Sequence, residues 1–169
     1  MLFELHLEEN GPDELEPRPF LNVKEVDRLE KDLENILADH LYNTLYQQAP
    51  LMPVYQERTG QEVADLYALN KDGDLVIFEL KCGGADSGAV QQILRYAQNA
   101  GQWSYTELSD LYSSYVSEET ELAQAHKEEF ELDEPIATGQ FNRRQQLKVV
   151  GNAADTELVE AVEYWTGQG

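Results

Sequence analysis

Cysteine is almost missing from this chain: Cys82 stands alone in 169 residues, which removes a disulfide framework and a cysteine-rich zinc site from consideration. Histidine is nearly as scarce, and His6, His40 and His126 lie too far apart in sequence to suggest a catalytic cluster. No apolar stretch approaches the roughly 20 residues of a membrane span, and none near Met1 has the form of a signal peptide. A soluble cytoplasmic protein with no membrane partner is therefore the expectation. Internal repeats and low-complexity tracts are absent. Basic residues are few as well, 12 against 33 acidic ones, for a net charge of −21. That balance sits badly with a protein that grips phosphates through a basic surface. It fits either an acidic surface adapted to a high-salt, halophilic cytoplasm, where self-repulsion is screened, or a partner other than nucleic acid. The acids are spread along the chain without an acidic tail, which favours the first.

The length is that of one domain with a genuine core. Leu2–Leu7 alternates like a strand, and Asn10-Gly-Pro-Asp13 and Glu16-Pro-Arg-Pro19 read as breaks, so residues 1–25 are expected to form an N-terminal strand and a linker arm ahead of a domain spanning 26–169. Val26, Leu29, Leu33, Ile36, Leu37, Leu41 and Leu45 mark an amphipathic helix over Val26–Tyr46. On it Glu30 lies about 60° from Leu33, inside the apolar stripe, whereas Glu34 lies about 100° away. Glu30 is thus the better acid for the core side, the alternative being a partly exposed helix glutamate. Met52–Glu57 reads as a strand. Gly83-Gly84 reads as the end of another, either as a plain turn into a helix or as a close backbone approach to a phosphate. In that helix Val90, Leu94 and Ala97 are expected to face the core. Gln92 and Tyr96, four apart on the other side, either reach a common site or are ordinary solvated residues. Residues 103–134 are helix-prone and look like part of an insertion over about 103–140. Gln146–Val150 is a short apolar strand, Gly151–Asp155 a turn with Asp155 as N-cap, and Thr156–Trp165 a helix. Arg143-Arg144 is the only adjacent basic pair.

The densest information lies in Glu62–Lys81. Two strand-like stretches flank Lys71-Asp72-Gly73, a good three-residue hairpin loop closed by a left-handed glycine. With that loop Asn70 pairs with Asp74, and five residues further back Asp65 falls opposite Glu79. Facing side chains of this kind lie about 4.5–5.5 Å apart at Cβ, and like charges there repel. Lys81 shares the face of Glu79. Two carboxylates and an ammonium among Val76, Ile77, Phe78 and Leu80 are costly to bury without a cation between them. A four-residue loop would set Ala64 opposite Glu79 and turn Asp65 to the other face. An exposed hairpin with solvated acids is the plain alternative, but Asp74–Cys82 is apolar on both faces, as a central strand would be.

Thirteen residues separate Asp65 from Glu79 in the Asp…Glu-x-Lys pattern, and Gln92-x-x-x-Tyr96 begins eleven residues after Lys81. Together with the acidic helix Glu30–Leu37, this resembles the PD-(D/E)xK nuclease superfamily, in particular its RecB-like branch and the nuclease domain of NucS-like endonucleases. The resemblance covers about residues 26–101 well and the last strand-helix segment loosely. Ala64, where the pattern has proline, is a common departure. The resemblance implies an α/β, restriction-endonuclease-like core with a central mixed sheet of four to five strands flanked by helices. It further implies hydrolysis of DNA phosphodiester bonds with Mg2+ or Mn2+, hard cations suited to oxygen ligands. Asp65, Glu79, the Leu80 carbonyl and Glu30 would hold the metal, Lys81 would orient the attacking water, and Gln92 and Tyr96 would position the metal-side groups and the DNA backbone. A homodimer, the preferred DNA structure, and DNA against RNA stay open. The rival reading is a nuclease-like fold serving as a non-catalytic binding or assembly module.

Overall fold

The computed structural model describes residues 3–6, 14–17, 50–56, 63–85, 87–117, 120–154 and 156–167. The helix expected over 26–46, with Glu30, and the Asp155 cap lie outside the described residues. Near the N-terminus β1 (Phe3–His6) and β2 (Glu14–Pro17) form an antiparallel pair running from Phe3↔Pro17 to His6↔Glu14. Glu16-Pro17 therefore does not break structure as its proline suggests. In a two-stranded sheet every strand is an edge, where the missing proline N–H need cost no ladder bond.

The main sheet has four strands in the order β3 (Met52–Gln56), β4 (Leu66–Leu69), β5 (Leu75–Ala85) and β6 (Gln145–Ala154). β3–β4 and β4–β5 are antiparallel and β5–β6 is parallel, so the sheet is mixed and the class is α/β. The strand expected to stop at Gly83-Gly84 runs through them. Between Lys81 and Gly84 β5 advances three residues while β6 advances two, from Gly151 to Ala153, and glycine is the residue that most easily takes up such a bulge. For the same reason Gly151–Ala154, expected to turn, stays in β6: β5 continues alongside as a partner.

Leu75–Leu80 is at most 1% exposed throughout, as the apolar run on both faces predicts for a central strand. On one face Tyr67, Leu69, Leu75 and Ile77 pack with Ile93, Tyr96 and Ala100 of α1 (Ser87–Ala100), Leu108 of α2 (Tyr105–Val116) and Leu122 of α3 (Leu122–Glu129). The other face gathers Leu51, Leu66, Ala68, Val76, Phe78 and Leu80, and among the described residues this cluster holds no helical side chain. Each such side chain contributes about 1.5–3 kcal/mol on burial, so the sheet interior is where the acids of this chain are most expensive. α4 (Thr156–Thr166) follows β6 and touches α1. No described helix is long and apolar enough to cross a membrane.

α1 is turned relative to its expected stripe. Ala89, Ile93, Tyr96 and Ala100 are buried, while Leu94 is 44% exposed. The aromatic ring of Tyr96 fills the core and its hydroxyl still reaches a polar partner, so the larger apolar payload wins over Leu94. α2 begins at a capping box in which the Ser104 side chain accepts from Glu107 N–H and the Glu107 carboxylate from Ser104 N–H.

Candidate functional site

The β4–β5 turn sets everything that follows. Asn70 N–H donates to the Asp74 carbonyl at 3.1 Å and Gly73 N–H to the Asn70 carbonyl at 3.0 Å. Gly73 has φ +83°, and a Cβ there would stand 2.6 Å from Ile136 Cδ1, so both conformation and space demand glycine. The Asn70 Oδ1 accepts from Asp72 N–H at 3.0 Å and Asp74 N–H at 2.8 Å. The loop is thus the three-residue one, and the ladder runs Leu69↔Leu75, Ala68↔Val76, Tyr67↔Ile77 and Leu66↔Phe78. The ladder ends there, and Asp65, one residue before β4, sits in a bend from which its carboxylate reaches the Leu80 amide, next in β5 to Glu79.

From there the polar groups connect side chain to side chain. Asp65 Oδ2 accepts from Leu80 N–H at 2.6 Å. Glu79, 1% exposed, takes the Lys81 ammonium on Oε1 at 2.5 Å. The same ammonium reaches Gln92 Oε1 at 3.3 Å, and Gln92 Nε2 donates to the Tyr96 hydroxyl at 2.8 Å. Of the expected site residues the structure therefore joins Glu79, Lys81, Gln92 and Tyr96 in one hydrogen-bonded chain, with Asp65 on the adjacent Leu80 amide. Both carboxylates are held by groups of positive character. The Lys81 side chain is 29% exposed, so it links the buried Glu79 to solvent, with Asp65 half-buried nearby. Arg95 lies over the Tyr96 ring, 5.6 Å from its centre.

Two residues that pattern reading passes over bear on this arrangement. Tyr67 is 2% exposed and its hydroxyl accepts from Ala64 N–H at 3.2 Å. Burial, opposed by that bond and assisted by Tyr96, Tyr55 and Asp65 nearby, pushes its pKa up to about 12. His126 is fully buried against Phe130 and Phe141, with Nε2 at 2.9 Å from the Asn70 carbonyl. That carbonyl needs a donor, so the ring is the Nε2–H tautomer. Desolvation holds its pKa below the usual range, against the pull of the Asn70 carbonyl and Asp72. His126 anchors the turn and is not in the acid cluster. A periodicity of apolar residues carries no trace of either contact, since both are bonds from a side chain to main chain that the fold alone brings near.

Asp65 and Glu79 offer hard oxygen donors of the type that magnesium and manganese take. Among the described residues no group of three or more His, Cys, Asp and Glu side chains is placed to hold a metal ion, so the described part supplies a carboxylate pair. The residues define a candidate cation site at the end of a hairpin in an α/β sheet. No protein-family model and no curated protein matches the chain. Among solved structures it is similar to a repair endonuclease from Pyrococcus abyssi, with 17% identity and a TM-score of 0.46 over 82% of this chain and 44% of that one. The chain spans less than half the length of that protein.

Proposed function

We propose that this chain is a metal-dependent nuclease of the PD-(D/E)xK type that hydrolyses phosphodiester bonds of DNA. One observation carries the reading: the hairpin brings the Asp65 carboxylate to the Leu80 amide and leaves the neighbouring Lys81 ammonium bonded to Glu79, a carboxylate buried in the sheet. A charged triplet in that position is costly for folding alone and is what a cation-assisted hydrolysis requires. Mg2+ or Mn2+, held by Asp65, Glu79 and the Leu80 carbonyl with Glu30 completing the set through a water, would polarise the scissile phosphate and acidify a bound water. Glu79 holds the Lys81 ammonium beside the reacting centre. Lys81 orients the attacking water and offsets charge that develops on the phosphate. Gln92 steadies Lys81, and Tyr96 steadies Gln92 through its hydroxyl.

The test is a panel of labelled single-stranded, double-stranded, branched and mismatched DNA, with RNA alongside, incubated with Mn2+. Asp65→Ala, Glu79→Ala and Lys81→Ala are each expected to abolish cleavage while the fold persists. Substantial cleavage by Glu79→Ala rules out this assignment. Mn2+ uptake by wild type without cleavage of any nucleic acid moves the protein to the non-catalytic binding module instead.

The charge of −21 asks for a matching behaviour in salt. If the surface is adapted to concentrated salt, the melting temperature rises with KCl as repulsion is screened over a Debye length of about 3 Å at 1 M. DNA affinity then falls with salt far less steeply than about 0.9 log units per neutralised phosphate for many contacts, because few cations are available. A protein most stable and most active in dilute buffer would refute the high-salt adaptation.

A further inference from the structure

Where β4 begins, two main-chain donors leave the ladder together. In an antiparallel pair, directly opposed residues alternate between exchanging both main-chain bonds and exchanging none. Asn70 and Asp74 are joined by such a bond, so the bonded rungs fall at Ala68↔Val76 and Leu66↔Phe78, and the next falls at Ala64 and Leu80. There Ala64 N–H would donate to the Leu80 carbonyl and Leu80 N–H to the Ala64 carbonyl. Neither does. Ala64 N–H donates to the Tyr67 hydroxyl at 3.2 Å, and Leu80 N–H donates to Asp65 Oδ2 at 2.6 Å.

We propose that Tyr67 is a positioning residue for the cation site: by taking the Ala64 N–H, its hydroxyl keeps the Leu80 carbonyl out of the ladder, so that this oxygen can serve beside Asp65 and Glu79 as a ligand for a hard divalent cation. The ligand step rests on the metal-dependent reading above. The exchange of backbone partners does not. Tyr67 is well fixed for the task. Its ring packs 4.9 Å from Trp103 and 6.0 Å from Tyr55, centre to centre, and it is buried almost completely. Phenylalanine would fill the same space with no acceptor. The Ala64 N–H, buried without a partner, would then be drawn back to the Leu80 carbonyl, lengthening the sheet by one rung and closing that oxygen to a metal. A tyrosine that served only the core would behave in the opposite way, its loss lowering stability and leaving metal binding alone.

The experiment compares wild type, Tyr67→Phe and Tyr67→Phe/Ala64→Pro. Scalar coupling across the hydrogen bond from the Ala64 amide nitrogen to the Leu80 carbonyl carbon is read by NMR on metal-free protein, and Mn2+ affinity is read by spin resonance of the free ion. Wild type is expected to show no coupling. Tyr67→Phe is expected to show it, to melt close to wild type, and to bind Mn2+ about tenfold more weakly, as loss of a ligand's supporting contact typically does. Proline at 64 has no N–H to offer, so the double variant should lose the coupling and regain the affinity. Coupling already present in wild type, wild-type Mn2+ affinity in Tyr67→Phe, or a folded double variant that stays weak each overturns the proposal. Wild type that takes up no Mn2+ defeats the metal-dependent reading and the ligand step with it, while coupling confined to Tyr67→Phe still upholds the exchange of backbone partners.

Discussion

At its turn the β4–β5 hairpin is tied by main chain and by neighbours from elsewhere in the fold, whereas at its far end side chains replace the ladder. Around the turn, Gly73 O accepts from Asn142 N–H at 2.8 Å, the Asn70 carbonyl meets His126, and Leu75 N–H donates to the Arg144 carbonyl at 3.0 Å. Asn142 is held in turn through its side-chain amide, which donates to the carbonyls of Ala100 and Trp103. At the other end Asp65 and Tyr67 accept the amides that the sheet would otherwise use. The closed end fixes which residues face each other, and the open end spends that alignment on polar groups. A one-residue slip at the turn would carry Asp65 to the wrong face, so chemistry at one end depends on geometry about five residues, roughly 17 Å, away.

The closed end is most vulnerable at Gly73. Valine there must adopt a positive φ, costing about 1–2 kcal/mol, and must displace Ile136, so a total loss of about 2–4 kcal/mol is expected in urea denaturation. Asp65→Asn at the open end keeps an acceptor for Leu80 N–H and should melt near wild type while cleavage ends. A Gly73→Val protein as stable as wild type would show that the turn does not set the register.

The closed end also responds, more weakly, to pH. His126 is kept neutral by burial, its folded pKa below the 6.5 of an ordinary histidine. The unfolded chain binds the proton more readily, so the stability from a neutral His126 is present above pH 6.5 and is lost as pH falls below it. Melting temperatures of wild type should drop through that range more than those of His126→Gln, whose amide can still donate to the Asn70 carbonyl. Equal slopes would mean that the ring is not held neutral by the fold.

The smallest expected effect lies at alkaline pH and at the open end. Tyr67 has its folded pKa raised from 10.0 to about 12, chiefly by desolvation. The unfolded chain ionises first, so the contribution of Tyr67 is complete below pH 10.0 and is lost as pH rises towards about 12. Tyr67→Phe should lack this alkaline limb, which a melting series in carbonate buffers would reveal.

The hairpin was legible because a short loop with one obligatory glycine leaves few registers, and a strand apolar on both faces has few homes. The α/β class was implied by the family resemblance, and the strand-helix unit at the end agrees with it. Other features depend on partners distant in sequence. Gly83-Gly84 carries a strong local stop signal, which the parallel neighbour β6 overrides. Tyr96 and Leu94 have comparable claims to the core of α1, and only the sheet beneath decides between them. β2 was hidden by its proline, harmless on an edge. Of the candidate site, Asp65, Glu79 and Lys81 could be singled out from the hairpin spacing, and Gln92 and Tyr96 from the family resemblance. Tyr67 could not, because its role passes through a main-chain amide at a bend.

The parallel pairing of β5 with β6 also has a temporal side. Leu75 lies opposite Gln145, 70 residues later in the chain, whereas the two arms of the hairpin are joined by three residues. Hairpins close in about 1–10 μs, while bringing together distant segments must first overcome the entropy of a long loop. In a refolding chain Asp65 and Glu79 should therefore be brought near each other early, while the side of β5 that β6 will cover is still open to water. The acid pair then meets its low-dielectric surroundings only when α1 has packed over its face and β6 has docked, so the unfavourable electrostatics of the site fall on the late step. Refolding of Glu79→Gln should accelerate in that slow phase and leave hairpin closure unchanged, a difference that stopped-flow fluorescence of Trp103 against Tyr67 can follow.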